Sequence, residues 1–130
     1  FAVQLDDGTD LTVSLVRDTA GLPVLNYGTL VDAAGDVRHQ VADAFKVTVS
    51  ASWTSEQTGI TYPAAWRIEV PGERLTIELQ PTVSAQELDT RPTTGVIYWE
   101  GSQRVVATHD GRVVGGQAYV ELTGYTSASP

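Results

Sequence analysis

Tyr98 and Glu100 stand two residues apart, and Tyr119 and Glu121 repeat that spacing further along the chain. In an extended strand, residues i and i+2 share a face, so each pair sets a phenol beside a carboxyl. A carboxyl among aromatic rings inside a barrel has its charged form disfavoured; it can stay protonated near neutral pH and serve as an acid. Glu121 with Tyr119 is the first candidate catalytic pair, and Glu100 with Tyr98 the second. The competing reading has each Glu facing solvent or pairing with an arginine such as Arg104 in a structural contact. Trp53, Tyr62, Trp66 and Trp99 are candidate ligand-binding residues, because flat rings suit polyenes, terpenoids and polyketides. The same rings equally serve as core. In an eight-stranded barrel the inward face is both core and cavity wall.

Other chemistries find little footing. His39 and His109 lie far apart and there is no Cys, so no metal-ligating spacing exists. Gly111, Gly115 and Gly116 neither make a dinucleotide fingerprint nor join a strand to a helix. No GxSxG elbow is present. Neither a metal nor any other cofactor is indicated. With 16 Asp and Glu against 8 Lys and Arg, the net charge of −8 repels phosphate backbones and anionic bilayers, so nucleic acid is not an expected partner. No apolar run reaches the roughly 18 residues of a membrane span. A Cys-free chain folds on either side of a membrane, which leaves the compartment open, cytoplasmic or exported. The sequence starts at Phe1 without Met, as a processed or trimmed chain does.

The elements that must carry these residues have a period of two. Phe1-Val3-Leu5, Leu11-Val13-Leu15, Phe45 to Trp53, Trp66-Ile68-Val70 and Leu75-Ile77-Leu79 alternate with polar or small residues, the pattern of half-buried strands. Turn signals separate them at Asp6-Asp7-Gly8, Asp18 to Pro23, Ala34-Gly35-Asp36, Pro71-Gly72-Glu73 and Asp110-Gly111. Val96 to Thr108 and Arg112 to Tyr125 read as two long strands of a hairpin, with bulges suggested by Gly101, Gly115 and Gly116. Tyr27 to Asp32 is a further strand, and helical spacing is confined to a turn or two around Val83 to Leu88. The chain of 130 residues is all-β: one antiparallel barrel of about eight strands over 1–125, a tail at 126–130, and closure expected because it removes exposed strand edges.

Tyr98-Trp99-Glu100-Gly101, then Gly111, then Gly116-Gln117-Ala118-Tyr119-Val120-Glu121-Leu122-Thr123-Gly124-Tyr125 resembles the YWEG…GxGYxELTGY signature of the carotenoid 1,2-hydratase/AttH-like lipocalin family. Leu5-Asp6-Asp7-Gly8, Gly28 to Asp32, Trp53-Thr54-Ser55 with Gly59, Tyr62 to Trp66 and Gln86-Glu87-Leu88 resemble further blocks of that family in the same order. The resemblance covers nearly the whole chain and implies a lipocalin-like β-barrel, the carboxy-terminal one of two in tandem. It implies cofactor-free lyase, hydratase or cyclase chemistry on an apolar, unsaturated small molecule such as a terpenoid, carotenoid or polyketide, by hydration or in the manner of a Diels-Alderase. The alternative is a non-catalytic binding domain or the structural half of a two-barrel protein. The partners this leaves are an apolar small-molecule ligand and a second lipocalin-like barrel or a homodimer partner.

Overall fold

The computed structural model describes residues 1–126. Ten strands form a single antiparallel sheet: β1 (Ala2–Leu5), β2 (Asp10–Arg17), β3 (Pro23–Val31), β4 (Val37–Gln40), β5 (Lys46–Thr54), β6 (Thr61–Val70), β7 (Leu75–Pro81), β8 (Glu87–Asp89), β9 (Ile97–His109) and β10 (Arg112–Thr123). Their order across the sheet is β4-β3-β2-β1-β10-β9-β7-β6-β5, with β8 continuing beside β9 past the end of β7. Every alternating run of the sequence is a strand. The two unannounced strands are short: β4 holds a single apolar residue and β8 three residues in all. The helical turn expected near Val83 to Leu88 is absent, since Glu87 to Asp89 pair with Trp99 to Ile97 instead. Helix among the described residues is limited to two 3₁₀ turns, Ala42–Ala44 and Pro71–Glu73. Of the expected tail at 126–130, only Thr126 lies within the described residues.

Alternation fixes the core. Val3 and Leu5, Leu11 and Val13, Ile68 and Val70, and Leu75, Ile77 and Leu79 all turn to one face of the curled sheet and are buried there. Each such side chain contributes about 1.5–3 kcal/mol on leaving water. The curl stops short of a closed cylinder: β4 and β5 end the strand path, and no ladder joins them. β4 is too short to do so, and Val41 to Phe45 pass through a 3₁₀ turn. Side chains bridge part of the gap. Arg38 donates through Nε to Glu73 at 3.1 Å and through Nη1 to Asp32 at 2.8 Å, while Gln40 donates to Glu73 at 3.0 Å.

The two ends of this half-barrel differ. One end, the base, is tied by the short turns after β1, β3, β6 and β9 and by polar contacts, among them the hydrogen bond between His109 Nδ1 and Asp7 Oδ2 at 2.7 Å and the Arg74–Asp110 ion pair at 3.1 Å. At Asp110-Gly111 both residues have positive φ, 51° and 77°, the twist that a two-residue hairpin demands and that Gly supplies without strain. The other end, the mouth, gathers Phe1, the β2–β3 tip, the β5–β6 turn, the segment between β7 and β8, and Tyr125.

The glycines of the long hairpin do not make bulges. β9 and β10 pair without a register shift from Arg112↔His109 to Thr123↔Tyr98. Gly116 is needed for close approach, because a Cβ there would overlap the carbonyl oxygen of Gln4 on β1. Gly115 and Gly101 likewise leave room for the side chains of Asp6 and Gln86.

Gly116→Ala should therefore destabilise the chain by about 1–3 kcal/mol, since backbone must shift. Gly72→Ala, with nothing within 4 Å of the added carbon, should be neutral or slightly stabilising in the same denaturant titration. At the base, burial pushes Asp7 upward, but hydrogen bonds from His109 and Thr9 outweigh it and hold the carboxyl below its ordinary value of 3.8. A depressed carboxyl stabilises the fold above its unfolded value and loses that contribution as pH falls through the folded one. Comparing wild type with Asp7→Asn in urea at stepped pH should show a stability difference that is present above pH 3.8 and shrinks as pH falls below it. A difference that grows towards acid would contradict the assignment.

Candidate functional site

At the mouth, one carboxylate collects three hydroxyls. Thr54 and Thr61 face each other across the β5–β6 hairpin with their hydroxyls 2.9 Å apart, and the loop between them is wound on Ser55. Ser55 Oγ accepts from the backbone N–H of Gln57 and Thr58, both at 3.2 Å, and donates to Glu87 Oε1 at 2.7 Å. Thr58 Oγ1 accepts from Ile60 N–H and donates to Glu87 Oε2 at 2.7 Å. The Tyr62 hydroxyl completes the set, donating to the same oxygen at 2.9 Å. Ser55 is buried, so its hydroxyl relies on protein partners. Glu87 begins β8, and two residues further on Asp89 is clasped by Arg91 at 2.6 Å, which holds the Asp89 carboxyl down at about 2.

Aromatic rings floor and flank the cluster. Tyr62 stacks on Trp53 with centroids 6.2 Å apart and meets Tyr125 at 5.4 Å. Below them Trp66 packs edge-on against Trp99 at 5.8 Å and against Phe1 at 5.3 Å. Burial, and after it the bond to Glu87, pushes the Tyr62 hydroxyl well above the usual phenol range, which keeps it a donor. Burial raises Tyr125 too. Trp53, Ser55, Glu56, Gln57, Ala85 and Glu87 enclose a groove of about 390 Å³. Deeper inside, Trp99 Nε1 and Gln103 Oε1, one donor and one acceptor, are buried without a protein partner among the described residues.

The residues singled out from sequence divide into two groups. Trp53 lines the groove, Tyr62 is buried and donates its hydroxyl to Glu87, and Trp66 and Trp99 are fully packed core beneath it. Tyr98, Glu100, Tyr119 and Glu121 lie on the opposite face. The hairpin does bring them together, for Glu121 stands directly across from Glu100, with Tyr119 across from Ser102 and Tyr98 across from Thr123. They share the outer surface, however, and not the expected poorly solvated cavity: the inward parity of β9 and β10 belongs to Trp99, Gln103, Ala118 and Val120, leaving Glu121 and Tyr119 exposed and Glu100 half-buried. Tyr119 borders a second groove, of about 470 Å³, on that outer face with Ala2, Gln4, Thr12, Ser102 and Gln117. Among the described residues no three His, Asp or Glu side chains cluster in a way that would hold a metal ion, and no helix is long and apolar enough to cross a membrane.

Sequence reasoning did not assign Glu87, Ser55 or Thr58 a role. Both Ser55 and Glu87 fall in blocks that carry the family resemblance, and that was the only available signal. Glu87 lies 32 and 29 residues from its hydroxyl partners, beyond the reach of any local pattern.

A family model described as AttH-like matches residues 1–125. Among solved structures, a protein described as AttH from Nitrosomonas europaea superposes with a TM-score of 0.81 at 34% identity, over 96% of this chain and 38% of that one. Kievitone hydratase from Nectria haematococca superposes at 0.72 with 17% identity, over 97% of this chain and 39% of that one, a likeness of fold. No curated protein sequence matches. The chain spans well under half the length of either structure. Because one family model accounts for residues 1–125, and the fold recurs in a structure that is a third identical, the chain belongs to the AttH-like family.

Proposed function

We propose that the chain is a hydratase-like lipocalin unit that holds an apolar, unsaturated small molecule, of terpenoid, carotenoid or polyketide type, at its mouth and adds water across a carbon–carbon double bond without a cofactor. The observation that supports this reading is the Glu87 carboxylate, gripped by three hydroxyls at the edge of a groove walled by Trp53. Oε1 accepts only one of the three bonds, so it retains a lone pair for a water molecule lying in the groove. Addition needs a proton delivered to one alkene carbon and a hydroxyl to the other. Glu87 orients the water and takes its proton as the C–O bond forms, while the proton added to carbon enters from solvent along the groove, past the exposed Glu56. The face of Trp53 steadies the positive charge that builds between those two events. The sum consumes one water, and Glu87 returns its proton to solvent.

Two features favour a second reading. Glu100 and Glu121 oppose each other directly, and Tyr119 borders the outer groove, so the two Tyr-x-Glu pairs form an alternative acid site on that face. A carrier without turnover, or one half of a two-unit protein, is the non-catalytic alternative.

Glu87→Gln separates these. On the mouth reading it lowers hydration of a responsive polyene or terpenoid by about 10²–10⁴-fold, while Glu121→Gln keeps full turnover. The reverse pattern, in variants that both fold, assigns the chemistry to the outer face. Glu87→Gln also weakens the hydroxyl cluster by about 1–3 kcal/mol, so Thr58→Ala, which removes one donor and no carboxyl, serves as the stability control. Ligand entry should be visible in tryptophan emission and should vanish in Trp53→Phe, because Trp66 and Trp99 are sealed in the core. A response that survives Trp53→Phe places the ligand elsewhere.

A further inference from the structure

The walls of the mouth groove carry charge of one sign. Glu56 and Glu87 are the charged side chains among the residues that enclose it, and neither makes an ion pair among the described residues. Glu87 is bonded by hydroxyls alone, which stabilise its negative charge without cancelling it. The cations at this end are engaged elsewhere. Arg91 clasps Asp89 through Nε at 2.9 Å and Nη2 at 2.6 Å, a pair with no net charge. Arg17, next to Asp18 on the β2–β3 tip, donates to Gly21 O at 3.2 Å, and the Phe1 amine donates to Val13 O at 2.9 Å.

The protein supplies its own example of what this place does to an anion. The Tyr62 phenol is pushed up first by burial, then by its bond to Glu87 and by the charge of that carboxylate, while Arg91 pulls the other way and is outweighed. A carboxylate or phosphate brought into the groove meets the same two obstacles, poor solvation and a fixed negative neighbour, in a chain whose net charge is −8. A protonated amine meets the reverse. Both carboxylates attract it, and the face of Trp53 offers it a further contact.

We propose that the groove selects its ligand by charge: it takes apolar molecules that end in a basic nitrogen or a neutral group, the basic ones more tightly, and turns away those that carry a carboxylate or phosphate, with Glu56 setting much of the difference. This rests on the mouth as the ligand site. It narrows the substrate of the hydration reading to hydrocarbons, alcohols and amines, and excludes unsaturated acids and prenyl phosphates. Glu56 suits the role because it is exposed, borders the groove and takes no part in the hydroxyl cluster that holds Glu87.

Three compounds with one isoprenoid tail test the proposal: farnesylamine, farnesol and farnesoic acid, titrated below their aggregation range at neutral pH and low salt, with affinity read from the midpoint of the Trp53 emission change. The amine should bind about 10–100-fold more tightly than the acid, with the alcohol between them, and the spread should shrink at high salt. Glu56→Gln should narrow the amine-to-acid ratio by about 3–10-fold and leave the alcohol within about twofold of wild type. Asp36→Asn removes one charge from the turn after β3, at the base, and should leave the ratio unchanged. Both side chains are exposed, so both variants should melt with the wild type. Equal binding of all three compounds, or tightest binding of the acid, overturns the proposal and leaves the mouth standing as the ligand site. A ratio that Asp36→Asn narrows as much as Glu56→Gln also overturns it, assigning the selection to net charge. Trp53 emission that none of the three compounds moves overturns the mouth reading itself, and this proposal with it.

Discussion

The unbroken pairing of β9 with β10 is the constraint on which the rest of the structure depends. Twelve consecutive pairs without a register shift mean that parity, once set anywhere in the hairpin, is set everywhere in it. Placing Trp99 and Val120 inward supplies one of the two fully buried indoles and one of the most buried aliphatics of the core, and it simultaneously sends Tyr98, Glu100, Tyr119 and Glu121 outward. A slip by one residue would bury two carboxylates and expose the tryptophan, at a cost far beyond what a domain of this size has in reserve. The ladder reaches further than its own two strands. Gly116 lets β1 close against β10, β1 brings in β2 and β3, and on the other side β9 carries β7, β6 and β5.

That parity also explains what the sequence made legible. The strands were readable because half-buried strands must alternate, and Leu75-Ile77-Leu79 or Phe45 to Trp53 leave no other regular reading. The turns were readable from Asp, Gly and Pro for equally local reasons. Face is a different matter: Tyr98 and Glu100 share a side whatever the register, but which side depends on where Trp99 goes, and both assignments bury an aromatic ring. Strands β4 and β8 were invisible because Val37 to Gln40 and Glu87 to Asp89 are strands by virtue of their neighbours, with no alternation of their own. The hydroxyl cluster was invisible for the same reason. Ser55, Thr58 and Glu87 acquire meaning only when the segment after β7 folds back along β9 and meets the β5–β6 loop.

The glycines teach a related lesson. Gly101, Gly115 and Gly116 suggest bulges because glycine in a strand interior so often marks one. Here the strand is regular and the glycines serve neighbours: Gln86, Asp6 and the Gln4 carbonyl occupy the space that side chains would have taken. For Gly101 this bears on the mouth, since Gln86 lying over it donates to the Ser102 carbonyl and accepts from Gln103. Gln86 is the residue before Glu87. A missing side chain on β9 thus helps to seat the carboxylate that the β5–β6 loop grips from the other side.

The division between base and mouth follows from where the polar bonds are spent. At the base, the Asp7–His109, Arg74–Asp110 and Arg38–Glu73 pairs reach solvent to differing degrees, tie neighbouring turns and strand ends together, and individually contribute little. Their value lies in number and in the short loops they tie. At the mouth the partners are hydroxyls and a carboxylate, partly buried and joined across 25 to 32 residues of sequence, with rings on two sides. Buried polar networks are costly when incomplete and rigid when satisfied, so this end is defined by a few bonds whose loss is felt together. The uncovered part of the β3 edge, Pro23 to Tyr27, lies at that same end. A fold that concentrates its most specific contacts beside an uncovered strand edge is organised around the mouth.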